Sequence, residues 1–355
     1  MNYKITVLRG DGIGPEVMEQ GLKILHAVAD KFNFSVDISE ALIGATAIDQ
    51  TGNPLPDDSI EKCKNSDAVL LGAVGHPKYD NDPTAKVRPE QGLLKLRKSL
   101  GLFANIRPIT TYEILYDKSP IKTDRIKGVD FVVFRELTGG IYFGKKGKSE
   151  DGKTAYDTSD YSVEEIDRIT RLAFDTALNR RKKVCLVDKA NVLETSRLWR
   201  YTVDKIAQEP QYSEIELDKM FVDNAAMQLI QWPSQFDVIL TENMFGDIIT
   251  DEASVIPGSM GLLPSASVGS GLALFEPIHG SYPQAAGKNI ANPFATILSV
   301  AMMLEHLKQN DAAKLIRKAV DKALHSGIVT EDISKENPKS TTEVGDWVKE
   351  FITSD

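Results

Sequence analysis

GDGIGPE, residues 10–16, follows the apolar run KITVLR and precedes a stretch with helical periodicity. The glycine fingerprint of a dinucleotide-binding βαβ unit needs glycine at its first, third and sixth positions, the last so that helix and strand can pack closely. Here the sixth position is Pro15. The fingerprint fails. Gly12 and Gly14 are expected instead to shape a strand-to-helix turn, with Pro15 at the first helical position of a helix running to about Phe32.

Outward from that turn, strand-like and helix-like segments alternate. DAVLLGAVG (67–75), VDFVVF (129–134), KVCLVD (183–188) and FDVILTE (236–242) are short apolar runs of the kind found in strands covered on both faces. SVEEIDRITRLAFDTALNRRKK (162–183) opens with a capping box, Ser162 to Glu165, and places Ile166, Ile169, Ala173 and Ala177 on one helical face. Its closing Arg and Lys residues suit the negative end of a helix. Two further helices, ILSVAMMLEHL and AAKLIRKAVDKALHSG, end at Gly327 as a C-terminal stop. The chain is therefore read as α/β. GHPKYDNDPTAKVRPEQG (75–92) has no period and is expected to be a mobile surface loop.

At 355 residues the chain exceeds one compact core and suggests two lobes. A net charge of −9 argues against a nucleic-acid binder. Cys63 and Cys185 lack metal-site spacing and cannot build a disulfide framework, so two reduced, buried thiols in a cytoplasmic protein are expected. The N-terminal segment shows no apolar core of a signal peptide, and no apolar run approaches the roughly 20 residues that span a bilayer.

Chemistry concentrates in a few places. Arg107 sits in an otherwise uncharged segment before Pro108, and Arg135 ends a buried-type strand in VDFVVFRELTGG; Arg97 lies in GLLKLRKS. Guanidinium groups suit bidentate carboxylate binding in partly dry sites, so three of them point to a dicarboxylate. Asp247 and Asp251 are four apart, hence on one helical face, and repel unless a cation lies between them. The alternative is a pair of first-turn acids facing the helix dipole. With Asp223 the set would be all-carboxylate, which selects Mg²⁺ or Mn²⁺. Lys189 directly follows the strand KVCLVD and is either a proton acceptor of lowered pKa or the partner of an acid such as Asp188.

Taken together, these motifs resemble the β-decarboxylating dehydrogenases, the family of isopropylmalate, isocitrate, homoisocitrate and tartrate dehydrogenases. The resemblance covers nearly the whole chain, through GDGIGPE, the arginine series, VDKANV, NMFGDIITDEAS, PGSMGLLPSAS and FEPIHGS…AGKNIANP. Within the family, RELTGGIYFG with GLLKLRKSLGLFANIRP is similar to the members that act on 3-isopropylmalate. Leu93 and Leu94 stand where isocitrate enzymes carry polar groups and would suit an isopropyl group, although one of the two can equally be helix core.

The resemblance implies a two-domain α/β fold with mixed sheets flanked by helices, not a Rossmann fold. Residues 1–103 and 258–355 would form the first domain, with the NAD-binding loops, and 104–257 the second, with the dimer interface, an arm and the metal and substrate residues. A cleft between them would close on substrate. Arg97, Arg107 and Arg135 would clamp the two carboxylates. Asp247 and Asp251, with Asp223 contributed by the partner subunit, would hold a divalent cation, Asp223 also facing substrate. Lys189, likewise contributed across the homodimer, would accept the hydroxyl proton, and Tyr142 would protonate the enol. His76, Glu90, His279, Gly280, Ser281, Gln284 and Asn292 would contact NAD. Gln284 stands where many NAD-using members carry Asp, and Glu242 where relatives often carry a small residue; both are departures. A broader malate or tartrate dehydrogenase is the alternative within the family, and a regulatory paralogue without catalysis the alternative outside it. A Mg²⁺-dependent phosphatase built on the aspartates would leave the arginines, Lys189 and Tyr142 without a task.

Overall fold

The computed structural model describes residues 1–81 and 85–354. The strands are β1 (Asn2–Gly10), β2 (Ser35–Ala41), β3 (Ala68–Ala73), β4 (Ala104–Thr110), β5 (Asp130–Glu136), β6 (Lys146–Lys148), β7 (Ala155–Asp157), β8 (Lys183–Asp188), β9 (Glu216–Phe221), β10 (Val238–Thr241), β11 (Pro264–Val268) and β12 (Ala273–Pro277). The chain forms two compact units. One is Met1–Leu102 with Ser259–Asp355; the other is Phe103–Gly258.

In the first unit the strands pair in the order β2-β1-β3-β12-β11. All neighbours run parallel except β11, which is antiparallel to β12. Every residue of β3 is buried, as its unbroken apolar sequence requires of a strand covered on both faces. The Gly14–Phe32 helix packs on the Phe294–His306 and Thr341–Ser354 helices. The Thr341–Ser354 helix was not anticipated from the sequence. Its TTEVGDWVKEFITS stretch buries Val344, Gly345, Val348 and Ile352, a 3–4 spacing diluted by polar neighbours.

The GDGIGPE turn has a definite structural task. Gly10 and Gly12 take left-handed φ of 71° and 58°, where a side chain would be strained and would also collide with the Ala73 and Ser281 carbonyls. Buried between them, Asp11 accepts hydrogen bonds from the amides of Ala45, Thr46 and Gly75 and from the Thr46 hydroxyl. The first two amides open the Gly44–Thr51 helix, so the chain's own carboxylate fills an anion-binding helix N-terminus. The helix after the turn begins at Gly14, which places Pro15 second rather than first.

In the second unit the order is β4-β5-β10-β8-β9, with β4 antiparallel to β5 and the others parallel. The expected capping box closes the Val163–Leu178 helix at its start, and Ile166, Ile169, Ala173 and Ala177 are buried. The basic residues lie beyond that helix's end instead of in its last turn. Arg180 there pairs with Asp130 and Asp237. β6 and β7 form an exposed two-stranded hairpin.

Both cysteines are free and buried, and burial pushes both thiols up to about 12. No described helix is long and apolar enough to cross a membrane. In the 75–92 segment, Pro77–Asp80 forms a helical turn and Lys78 pairs with Asp49; residues 82–84 of the expected mobile loop lie outside the described residues.

Candidate active site

An arginine at the end of an apolar strand must be paired to be buried. Arg135, 5% exposed, is the penultimate residue of β5 and is met by the Asn243–Ser254 helix. Asn243 Oδ1 accepts from its Nε at 3.2 Å and its Nη2 at 2.9 Å, and its Nη1 forms an ion pair with Asp247. The close approach needs Gly246, because a Cβ there would sit 2.6 Å from Arg135 Cγ. One turn on, Asp251 pairs with Arg107 Nη1 at 3.0 Å, while Asn105 Oδ1 and Thr250 Oγ1 each accept from that guanidinium at 2.8 Å.

The repulsion expected between Asp247 and Asp251 is thus offset by one guanidinium each. Neither acid lies in the first turn, which instead is capped by the Glu242 side chain accepting from the Phe245 amide at 2.7 Å. Interaction with the helix dipole therefore does not account for the pair.

Tyr142 follows the Gly139-Gly140 turn. Its hydroxyl donates to Asp247 Oδ2 at 2.8 Å, and its ring lies 5.8 Å from the Arg135 guanidinium carbon. Burial first, and then the Asp247 carboxylate, push the phenol up to about 12. Tyr142 therefore holds its proton across the physiological range. The neighbouring Glu136, fully buried, is satisfied by the Thr138 amide and hydroxyl, the Gly139 amide and Arg168; burial raises its pKa.

Lys189 pairs with Asp223 at 2.8 Å, and this ammonium holds the Asp223 carboxyl below its ordinary value. The suggested partner Asp188 is engaged elsewhere, by Arg200. Among the described residues no three His, Cys, Asp or Glu side chains converge on a metal-sized site, so Asp223 does not join Asp247 and Asp251 within one chain.

The remaining candidates lie in the first unit. Arg97, on the Pro89–Ser99 helix, pairs with Glu276 at 2.9 Å, and its buried Nε has no hydrogen-bond partner. Leu93 packs on a core cluster, while Leu94 is 44% exposed, so Leu94 is the one left free to meet a ligand. Glu90 is exposed in the first turn of that helix, and His76 Nδ1 accepts from the Lys78 amide.

The His279–Ser281 loop rests on the GDGIGPE turn through the Ile13 amide, which donates to Ser281 O at 2.8 Å. His279 Nδ1 lies 3.0 Å from Gly280 O, so Nδ1 carries the proton and Nε2, buried and unpartnered, is a bare acceptor. Burial lowers the His279 pKa. Gly280 and Gln284 are exposed, and Asn292 is buried between the Phe294 amide and Asp332.

Several residues in this arrangement escaped the sequence reading. Asn243 lies one turn before Asp247 on the same helical face, a signal readable from the i, i+4, i+8 spacing. Asn105, Thr250 and Glu276 carry no comparable local signal, because strand pairing and tertiary packing bring them in.

The aspartate helix thus carries two arginine-matched carboxylates, with a tyrosine hydroxyl on one of them. The family model described as isocitrate/isopropylmalate dehydrogenase matches residues 4–348, and the chain belongs to that family. It is 55% identical over 354 residues to the 3-isopropylmalate dehydrogenase of Bacteroides fragilis, covering 99% of both chains, and 51% identical to that of Bacillus subtilis, covering 100% of this chain and 98% of the other. Among solved structures, isocitrate dehydrogenase from Methylococcus capsulatus is similar with a TM-score of 0.88 at 34% identity, covering 99% of both chains. A β-decarboxylating dehydrogenase from Thermococcus kodakarensis follows at 0.82 and 34%, covering 99% of this chain and 96% of that one.

Proposed function

We propose that this chain oxidises and decarboxylates (2R,3S)-3-isopropylmalate to 4-methyl-2-oxopentanoate and CO₂ with reduction of NAD, as a cytoplasmic step of leucine biosynthesis. The observation that carries this reading is the Arg135–Asp247–Tyr142 constellation with its neighbour Arg107–Asp251. It provides guanidinium groups for carboxylates, hard oxygen donors for a cation and a protonated phenol.

Asp247 and Asp251 fit a divalent cation of the Mg²⁺ or Mn²⁺ class, since both are carboxylates and no thiol or imidazole stands among them. When bound, the cation supplies electrophilic stabilisation at the substrate and NAD supplies the hydride acceptor. Arg107 and Arg135, with Arg97, bind and orient the substrate carboxylates. Lys189 Nζ takes the hydroxyl proton. In this chain Lys189 Nζ is held by Asp223 at 2.8 Å, and engagement of Asp223 elsewhere would free Nζ to meet the substrate. After CO₂ departs, Tyr142 delivers its proton to C3. Leu94 faces the isopropyl group, with Leu93 behind it.

The separation of Asp223 from Asp247 and Asp251 supports a homodimer with shared sites, in which Lys189 and Asp223 serve the partner's Asp247 helix. The second unit also leaves large apolar side chains exposed, among them Val192, Tyr201, Met227 and Ile248, as an interface would use. His279 Nε2, a bare acceptor, suits the adenine amino group. Gly280, Ser281, Gln284 and Asn292 line the same loop, and His76 and Glu90 serve the nicotinamide end.

The test is dinucleotide reduction with 3-isopropylmalate, malate and tartrate, with NAD and NADP, with and without a chelator. Isopropylmalate with NAD should lead by at least about tenfold in kcat/KM and fail under chelation, as one branched apolar group in a fitted pocket allows. Equal turnover of malate or tartrate would sink the substrate assignment.

A further inference from the structure

Tyr161 lies outside the proposed reaction, yet it joins the two segments that carry the reacting groups. Its ring lies against the Gly139-Gly140 turn so closely that a Cβ at Gly139 would sit 2.7 Å from Cε1 and one at Gly140 2.2 Å from the hydroxyl. That turn leads directly into Tyr142. The same hydroxyl donates to Glu242 Oε2 at 2.9 Å and accepts from the Asn243 amide at 2.9 Å. Glu242 caps the helix that presents Asp247 and Asp251, through its Oε1 and the Phe245 amide. Asn243 Nδ2 completes the tie by donating to Gly139 O at 3.1 Å. On its other side, the Tyr161 ring is held edge-on by Trp199, with centroids 5.5 Å apart.

We propose that Tyr161 and Glu242 are a pair of positioning residues that fix the Tyr142 hydroxyl against Asp247, by locking the Gly139-Gly140 turn to the N-terminus of the aspartate helix. This rests on the function proposed above for Tyr142 and Asp247. The physical case is one of accounting for buried polar groups. The Tyr161 hydroxyl is a donor to one partner and an acceptor from another, and each of those partners begins the helix that must stay in register with the turn. Glu242 is 8% exposed, and burial raises its carboxyl pKa while the Phe245 amide and Tyr161 hydroxyl hold it down. A small residue at 242 would leave the Tyr161 hydroxyl and the Phe245 amide without these acceptors, so the departure at Glu242 and the presence of Tyr161 belong together.

The experiment uses the full-length protein carrying 3-fluorotyrosine. The Tyr142 ¹⁹F signal is assigned by its loss in Tyr142→Phe, and its chemical shift and linewidth at neutral pH are compared with and without Tyr161→Phe. Loss of the lock should move the Tyr142 signal by more than its linewidth, as the ring and hydroxyl leave their place against Arg135 and Asp247. The kcat for 3-isopropylmalate should fall roughly 10- to 100-fold with KM changed less than about twofold, the signature of a misplaced proton donor. Glu242→Gln should give a smaller shift in the same direction. Its carbonyl still accepts from the Phe245 amide, but its NH₂ then faces a hydroxyl that already receives the Asn243 amide.

A purely structural Tyr161 would lower the melting temperature and leave the Tyr142 signal where it was. An unmoved signal overturns the proposal, and so does a kcat within about twofold of the parent protein at a temperature where both are folded. If the parent protein itself fails to turn over 3-isopropylmalate, the proposed function falls, and the Tyr142 ¹⁹F signal alone decides the positioning.

Discussion

The two units hold their candidate groups in opposite ways. In the second, the charges are already matched: Arg135 with Asp247, Arg107 with Asp251, Lys189 with Asp223. In the first, Arg97 is matched by Glu276, but the His279–Asn292 loop carries a single charge, exposed Lys288, and its other polar groups are amides, a serine, an exposed tyrosine and glutamine, and one buried imidazole nitrogen without a partner. The difference separates two kinds of recognition. Matched charges are preorganised for chemistry, so removing one exposes another and should cost much in kcat. A loop that recognises by shape and single hydrogen bonds should yield modest changes in affinity and selectivity.

The largest effects are therefore expected in the charged region. Lys189→Ala and Asp247→Asn should each lower kcat about 10²- to 10⁴-fold, the range for loss of a proton-transfer or electrostatic group. Steady-state NAD reduction measures both. Mixing the two variants under conditions of subunit exchange sharpens the comparison further. If each site joins one chain's Lys189 to the other's Asp247, half the dimers become mixed and each regains one intact site. About a quarter of the parent activity should return. No recovery would mean that each site is built within one chain.

Tyr142→Phe comes next. Substrate KM and the first hydride transfer should stay near parent values while product release as the protonated 2-oxo acid slows by about 10²-fold, because only the donated proton is removed. Single-turnover NADH formation against product formation separates the steps. In the parent, a phenol pushed up to about 12 should leave no alkaline limb from Tyr142 in the kcat profile below that pH.

The contrast also shows what the sequence made legible. The β strands and the amphipathic Val163–Leu178 helix were readable because burial on both faces, or on one face, imposes a period. Asp247 and Asp251 were readable as a pair because helical spacing is local. What held them apart was not, since Arg107 and Arg135 reach them from β4 and β5, more than a hundred residues away in sequence. The same limit applies to Lys189, for which the adjacent Asp188 was the natural partner by sequence. Asp223 wins because the parallel pairing of β8 and β9 sets Asp188 opposite Phe221, so the two strand ends bring Lys189 close to the following helix.

Leu94 and Gln284 test the uncharged side at intermediate size. Leu94→Asn should cut kcat/KM on isopropylmalate about 10- to 100-fold and leave malate little changed, as loss of an apolar contact does. Gln284→Asp should widen the preference for NAD over NADP by about tenfold, because a carboxylate at that exposed position repels a 2′-phosphate while Gln284 does not. An unchanged preference would place Gln284 away from the ribose.

The smallest effect belongs to the His279 imidazole, whose Nε2 is buried. His279 is neutral in the fold because burial lowers its pKa, whereas in the unfolded chain it titrates near the ordinary value of about 6.5. Above that pH both states are neutral and the group leaves stability unchanged. As pH falls below it, the unfolded chain takes up a proton that the folded loop refuses, so stability declines down to the lowered folded pKa. The loss is bounded by about 1.4 kcal/mol per pH unit. Urea unfolding at pH 7.5 and 5.5 should therefore show a larger acid loss for the parent than for His279→Asn, which has nothing to protonate. The comparison of variant with parent cancels the acid response of the charged second unit. Equal losses would mean that the imidazole is as well solvated in the fold as in the unfolded chain, and the loop would then resemble the charged region less sharply in reverse: open to water and carrying no preformed acceptor for a nucleotide base.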